Sequence, residues 1–155
     1  MMVAAAYGLE GRRFRQWQAE HFFPLVRTGD RRIQGTDRFG YAQSDGNTRM
    51  TIRDWARLAA FVVEARKQPG CYGDFLREAT STRIPTDRRF ARMYAGYGYF
   101  TWTGNAEVPD SYAALGYGGQ AIVWSTTSEK YFIVFSNSTT AAEIHAMARR
   151  WLDAR

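Results

Sequence analysis

The chain holds one cysteine, two histidines and only two lysines. A single thiol, Cys71, excludes an internal disulfide framework and any multi-thiolate metal site, and leaves the redox compartment open. Beside Gly70 in a loop, it reads as a bystander thiol rather than a nucleophile. His21 and His145 fall in helical patterns with no His or Cys partner at ligand spacing, so neither a metal site nor any other cofactor is expected. His21 reads as a partly buried packing residue, and His145 as a surface residue. Because only Lys67 and Lys130 are lysines, arginine carries the formal charge of +6. Those arginines (Arg12, Arg13, Arg15, Arg31, Arg32, Arg88, Arg89, Arg149, Arg150) are scattered among acidic residues and form no nucleic-acid-binding motif, which argues against a nucleic-acid partner. No apolar run approaches the roughly 20 residues that span a bilayer, so no membrane segment is expected. The start MMVAAAYGLEG has neither the charged region nor the long apolar region of a signal peptide. The expectation is a soluble chain with no targeting signal of its own, cytoplasmic as it stands, whose compartment is otherwise unknown.

What is present suffices for a core: 45% of residues are hydrophobic and 15% aromatic, in a length suited to one domain, 1–155. Phe14, Trp17, His21 and Phe22 lie along one side of a predicted helix ending at Pro24. Residues 27–49, rich in Gly, Asp, Arg and Thr, show neither periodicity and read as a long surface loop. Thr51 can cap the next helix, with Asp54 in its first turn and Trp55, Leu58, Ala59, Val62 and Val63 as its stripe; Pro69-Gly70 ends it. A shorter helix over 72–79 and a basic linker containing Pro85 follow.

After Met93 the period changes to two. AGYGYFTW (95–102), QAIVWS (120–125) and KYFIVFS (130–136) read as strands, with Gly104-Asn105 and Ser128-Glu129 as turns. Thr140 and Glu143 form a capping-box pattern opening a last helix with Ile144, Met147, Ala148, Trp151 and Leu152 as its apolar stripe. A helical part (1–92) followed by a sheet and terminal helix (93–155) predicts an α+β fold: a three-stranded antiparallel meander covered by a C-terminal helix.

Five stretches, in order, carry a resemblance. RRFRQWQAEHFFPLV (12–26), MTIRDWARLAAFVVEAR (50–66), FLREATSTRIP (75–85), AGYGYFTW and LGYGGQAIVW resemble the C-terminal part of the serine β-lactamase and penicillin-binding-protein superfamily. The likeness is to its class C-like branch of esterases and 6-aminohexanoate-dimer hydrolases. It implies a partial β-lactamase/transpeptidase-like fold and, for the complete family protein, hydrolysis of amides, esters or β-lactams through an acyl-enzyme.

The family's chemistry needs a serine one helical turn before a lysine, S-x-x-K, so that hydroxyl and amine share a helix face. Three residues before Lys67 stands Glu64, and three before Lys130 stands Thr127, so the motif is absent. Neither Y-x-N nor S-D-N occurs, Ser44-Asp45-Gly46 being only a superficial match. No catalytic residue is therefore assigned. The resemblance aligns Tyr117-Gly118-Gly119 with the third motif and makes the backbone N–H of Gln120 one of two oxyanion donors. From the residues alone, the same stretch also reads as an aromatic strand with a bulge. Asn47 stands where relatives present a glycine-rich turn at the pocket mouth. It is either a substrate contact or an ordinary turn residue.

The resemblance makes the chain a C-terminal fragment, inactive alone, that meets a small acyl substrate only when an N-terminal half supplies serine, lysine and tyrosine. Exposed apolar surface and an unpaired strand edge would then favour self-association. The alternative is a non-catalytic binding or interaction module, or an inert remnant, on the same partial fold.

Overall fold

The computed structural model describes residues 11–29, 33–39, 48–86, 93–137 and 140–154. The chain divides into two compact units, Met1–Leu58 and Ala59–Arg155.

In the first unit, helix α1 runs through Gly11–Trp17, a π-helical turn Gln18–Phe22 and a last turn Phe23–Val26. The expected stop at Pro24 is displaced. Pro24 sits in the first turn of the final segment, where its missing N–H costs little, and the helix ends at Arg27 in the left-handed conformation (φ 57°). The π turn adds a residue and rotates the helix after it. That is why His21, projected onto the packed side by a constant 3.6 period, is exposed, with its ring 5.5 Å from that of Trp17. The expected loop 27–49 contains a two-residue antiparallel pair, β1 (Ile33–Gln34) with β2 (Thr48–Arg49).

Helix α2 (Ile52–Lys67) begins as its capping residues dictate. The Asp54 N–H donates to Thr51 Oγ1 (3.1 Å), and the Thr51 hydroxyl donates to Asp54 Oδ2 (2.9 Å). Asp54 Oδ1 also accepts from the Gly29 amide (2.9 Å) and Arg57 Nη1 (2.9 Å), which ties the segment after α1 to the start of α2. The Gly29 amide, then Thr51 and Arg57, hold this carboxyl below its ordinary value of 3.8. The stabilisation is present above that value and is lost as pH falls through the lower, folded one. Asp54→Ala leaves a part-buried amide and a hydroxyl without their acceptor. We expect it to cost about 1.5–3 kcal/mol in urea unfolding, with faster hydrogen exchange at Gly29.

In the second unit, α3 (Cys71–Ala79) precedes a six-stranded antiparallel sheet in simple sequential order. Its strands are β3 (Ile84–Pro85), β4 (Tyr94–Tyr97), β5 (Trp102–Asn105), β6 (Ser111–Gly116), β7 (Gln120–Ser125) and β8 (Tyr131–Val134). Helix α4 (Ala141–Leu152) follows. The α+β class and the covering C-terminal helix stand, but the expected three strands are six.

AGYGYFTW is not one strand: β4 ends at Tyr97, a turn closed by the Gly98 N–H donating to the Thr101 carbonyl (2.8 Å), with Phe100 at φ 59°, follows, and only Trp102 belongs to β5. Gly104-Asn105, expected as a turn, closes β5, and the Asn105 side chain then starts the turn by accepting the Glu107 and Val108 amides (2.8 and 3.0 Å). Pro85, expected in a linker, pairs with Gly96 on the sheet edge, where proline's missing donor is tolerated.

The two faces of the sheet are covered differently. On one, Ala113, Ala121 and Val123 pack with Tyr94, Val108 and the α4 residues Ile144, Ala148 and Leu152. On the other, Tyr112 and Trp124 stack at 5.2 Å, Trp124 Nε1 donates to the Ala59 carbonyl of α2 (3.1 Å), and Arg66 lies over the Tyr112 ring. Burial pushes the Tyr112 phenol up to about 12, opposed by the nearby Arg66 charge.

Candidate functional site

The glycine cluster forms the tip of a hairpin. Strands β6 and β7 pair without interruption from Ser111↔Ser125 to Gly116↔Gln120, leaving Tyr117, Gly118 and Gly119 as a three-residue loop. Gly118 (φ 83°) and Gly119 (φ 102°) occupy backbone conformations that side chains resist. The stretch is thus neither a continuous strand nor a bulge within one. Its glycines turn the chain.

A cleft of about 350 Å³ opens beside this tip, lined by Leu115, Gly116, Gly118, Gly119, Gln120, Asn137, Ala141 and Ile144. Three of the five predicted site residues, Gly118, Gly119 and Gln120, are brought into its wall. Tyr117 is not: its side chain is fully exposed, at 100%. Asn47 lies outside the described residues, as does Ser44-Asp45-Gly46. The rest of the lining comes from Asn137, just past β8, and from the first turn of α4, whose capping box is complete. Glu143 N–H donates to Thr140 Oγ1 (3.3 Å), while the Thr140 N–H donates to Glu143 Oε2 (2.7 Å). That bond, with the Thr140 hydroxyl, holds the Glu143 carboxyl below its usual range. The helix terminus is therefore already occupied by its own carboxylate. None of the residues lining the cleft is charged, and none is a serine, cysteine, lysine or histidine.

Sequence reasoning missed Asn137, Ala141 and Ile144 as partners of the hairpin. In sequence Asn137 belongs to a polar connector, and only the fold brings it, with Ala141 and Ile144 of α4, beside the β6–β7 tip.

His145, expected at the surface, is buried at 2% exposure. The α4 stripe is turned by about one residue from the projected one: Ile144, His145, Ala148 and Leu152 face inward, whereas Met147 and Trp151 are exposed. The cause is polar. His145 Nε2 is hydrogen-bonded to the buried Tyr94 hydroxyl, and its ring also bonds the Ala141 carbonyl, so the imidazole enters the core with both nitrogens satisfied. Burial holds His145 below its ordinary 6.5, opposed by the Glu107 charge and the Ala141 bond. The same burial pushes the Tyr94 phenol well up. With both nitrogens engaged and no contact with the cleft, this pair is structural.

The pH consequence has a definite sign. The unfolded chain takes up the His145 proton first, so stability is full above about 6.5 and declines as pH falls from there toward the folded value. Urea midpoints at pH 7.5 and 5 should show this loss, and His145→Gln should flatten that part of the profile.

Among the described residues no group of three or more His, Cys, Asp and Glu is placed to hold a metal ion, and no helix is long and apolar enough to cross a membrane. The second unit is an α+β unit with a cleft at a glycine hairpin whose lining, among the described residues, carries no charge. No protein-family model matches this sequence, and no curated protein shows significant similarity to it.

Proposed function

We propose that the chain contributes the third-motif segment and one oxyanion donor to a β-lactamase-related serine hydrolase of amides, esters or β-lactams. The nucleophilic serine, its lysine and the proton-transfer tyrosine would come from residues other than these 155. The observation that carries the reading is the cleft itself. The three aligned residues Gly118, Gly119 and Gln120 form one wall of a space large enough for a small acyl group. Glycine at the tip lets a ligand approach the backbone; the Gln120 N–H faces β6, where Gln120 pairs with Gly116, so it serves as an oxyanion donor only when that last rung of the hairpin opens to the ligand.

The isolated chain should neither react with a fluorophosphonate probe nor turn over a chromogenic ester. Co-expression with the polypeptide encoded immediately upstream, if that carries S-x-x-K, should give a complex labelled on the partner serine. Labelling of this chain alone, or an upstream region with no such motif, would overturn the assignment.

A second reading, a non-catalytic binding module, draws on the absence of any nucleophile among the residues lining the cleft. It predicts ligand binding at the same wall with no gain of hydrolysis when the upstream polypeptide is supplied.

A further inference from the structure

The two edges of the six-stranded sheet differ. At one edge β3 is two residues long and ends in Pro85, which has no N–H to offer, so that edge resists pairing. At the other, β8 has neither proline nor charge over Tyr131–Val134. The Ser125 N–H donates to the Lys130 carbonyl (3.0 Å), so Lys130 turns its backbone toward β7 and, by alternation along the strand, Tyr131 and Ile133 turn theirs outward. The outward Tyr131 carbonyl is taken by the Trp151 indole N–H (2.9 Å). The outward N–H and C=O of Ile133 are bonded by no described residue.

The covering helix brings apolar surface to the same edge. α4 runs back along β8, because its end is tied to the start of that strand: Lys130 Nζ donates to the Ala154 carbonyl, and the Trp151 indole to Tyr131. Met147 lies one helical turn before Trp151 on the same side, and the two are 39% and 53% exposed. Two residues of strand span about 7 Å and four of helix about 6 Å, so Met147 stands level with Ile133.

We propose that β8 is the interface to a second copy of this chain, the two β8 strands pairing antiparallel about a two-fold axis through Ile133. A residue that offers both a donor and an acceptor outward pairs with itself across such an axis, exchanging two hydrogen bonds. The register suits the charges. Lys130 stands opposite Ser136 of the second copy rather than opposite another lysine, and Arg150 comes within about one residue's rise of Glu143 of the second copy. The spacing suits the helices. α4 packs over β7 and β8, so two such helices lie about two strand spacings, roughly 10 Å, apart, which is the distance at which helices pack. Met147 then meets its own counterpart on the axis, flanked by Trp151. One rung and two helix turns per copy are less than a standard interface, so the dimer is weak and concentration-dependent. The inference goes beyond the hydrolase reading and does not depend on it.

Sedimentation velocity of the full 155-residue chain between about 1 μM and about 1 mM should show a monomer–dimer equilibrium. Hydrogen exchange at the Ile133 amide should slow as the dimer fills. Met147→Lys sets two like charges on the axis and should weaken dimerisation at least about tenfold while the fold stays intact. Ile133→Pro removes the outward N–H, which no bond within the sheet uses, and should give a folded monomer. In a Cys71→Ser background, Met147→Cys should cross-link to itself through a short bis-maleimide. A chain that stays monomeric throughout, or a dimer that both substitutions leave unchanged, overturns the proposal. So does an upstream-encoded polypeptide that protects the Ile133 amide when the chain alone leaves it open to exchange, because the edge then belongs to that partner.

Discussion

Trp124→Ala should remove about 3–5 kcal/mol from the stability of the Ala59–Arg155 unit, the range typical of truncating a buried tryptophan. Trp124 sits on β7, between β6 and the edge strand β8, and is 5% exposed. Its ring stacks on Tyr112 at 5.2 Å with the planes 13° apart, and its indole N–H donates to the Ala59 carbonyl at 3.1 Å. Truncation opens a cavity between sheet and helix, removes the stacking partner of a buried tyrosine, and frees a helix carbonyl that the ring had satisfied. Near the midpoint, about 4–8 °C per kcal/mol translates the loss into a fall of at least about 12 °C in Tm. Trp124→Phe separates the contributions. It keeps an aromatic ring beside Tyr112, loses the indole donor and part of the ring volume, and should cost markedly less. If alanine costs under about 1 kcal/mol, the packing of α2 on this face of the sheet is not what holds the unit together.

The second large effect is expected at the hairpin. In the completed hydrolase, Gln120→Pro deletes the proposed oxyanion N–H while leaving the acylating serine in place. Loss of one such donor ordinarily lowers kcat by about 10²–10³-fold, equivalent to about 2.7–4 kcal/mol of transition-state stabilisation. Gln120→Ala keeps the N–H and removes only the side chain, so kcat should stay near the parent value and any change should fall on KM. Because Gln120 pairs with Gly116 at the end of the hairpin, a thermal melt of each variant must accompany the kinetics. A fall in kcat without a fall in Tm marks a lost catalytic donor. Equal kcat for the proline and parent proteins would remove Gln120 from the oxyanion hole.

The elements legible in the amino-acid sequence are those whose cause is local. Thr51 and Asp54 at the head of α2, and Thr140 and Glu143 at the head of α4, are capping pairs within three residues of each other, and both form. QAIVWS, dense in β-branched and aromatic residues, is strand β7 with the bounds the sequence shows. Strand β6 is invisible there for the complementary reason. SYAALG has no β-branched residue, and its extension comes from six pairings with β7, a partner the local sequence does not name. The turn that splits AGYGYFTW likewise makes a contact across the chain, the Tyr99 N–H donating to the Ala79 carbonyl at the end of α3 (3.0 Å).

The candidate site divides the same way. Its glycines are conspicuous because positive φ at Gly118 and Gly119 is a local demand that leaves a compositional mark. The sequence by itself determined the α+β class, the capped starts of α2 and α4 and the absence of S-x-x-K, all of which depend on residue identity over a few positions, whereas the glycine cluster it marked as strand proved to be a turn. Only the tertiary structure decided that Tyr117 points away from the cleft, that Asn137 and Ile144 close it, and that His145 is buried against Tyr94. The placing of Ile144 and His145 goes with how α4 sits on the sheet, where Ile144, Ala148 and Leu152 pack into the core and His145 bonds Tyr94, a residue 51 positions away.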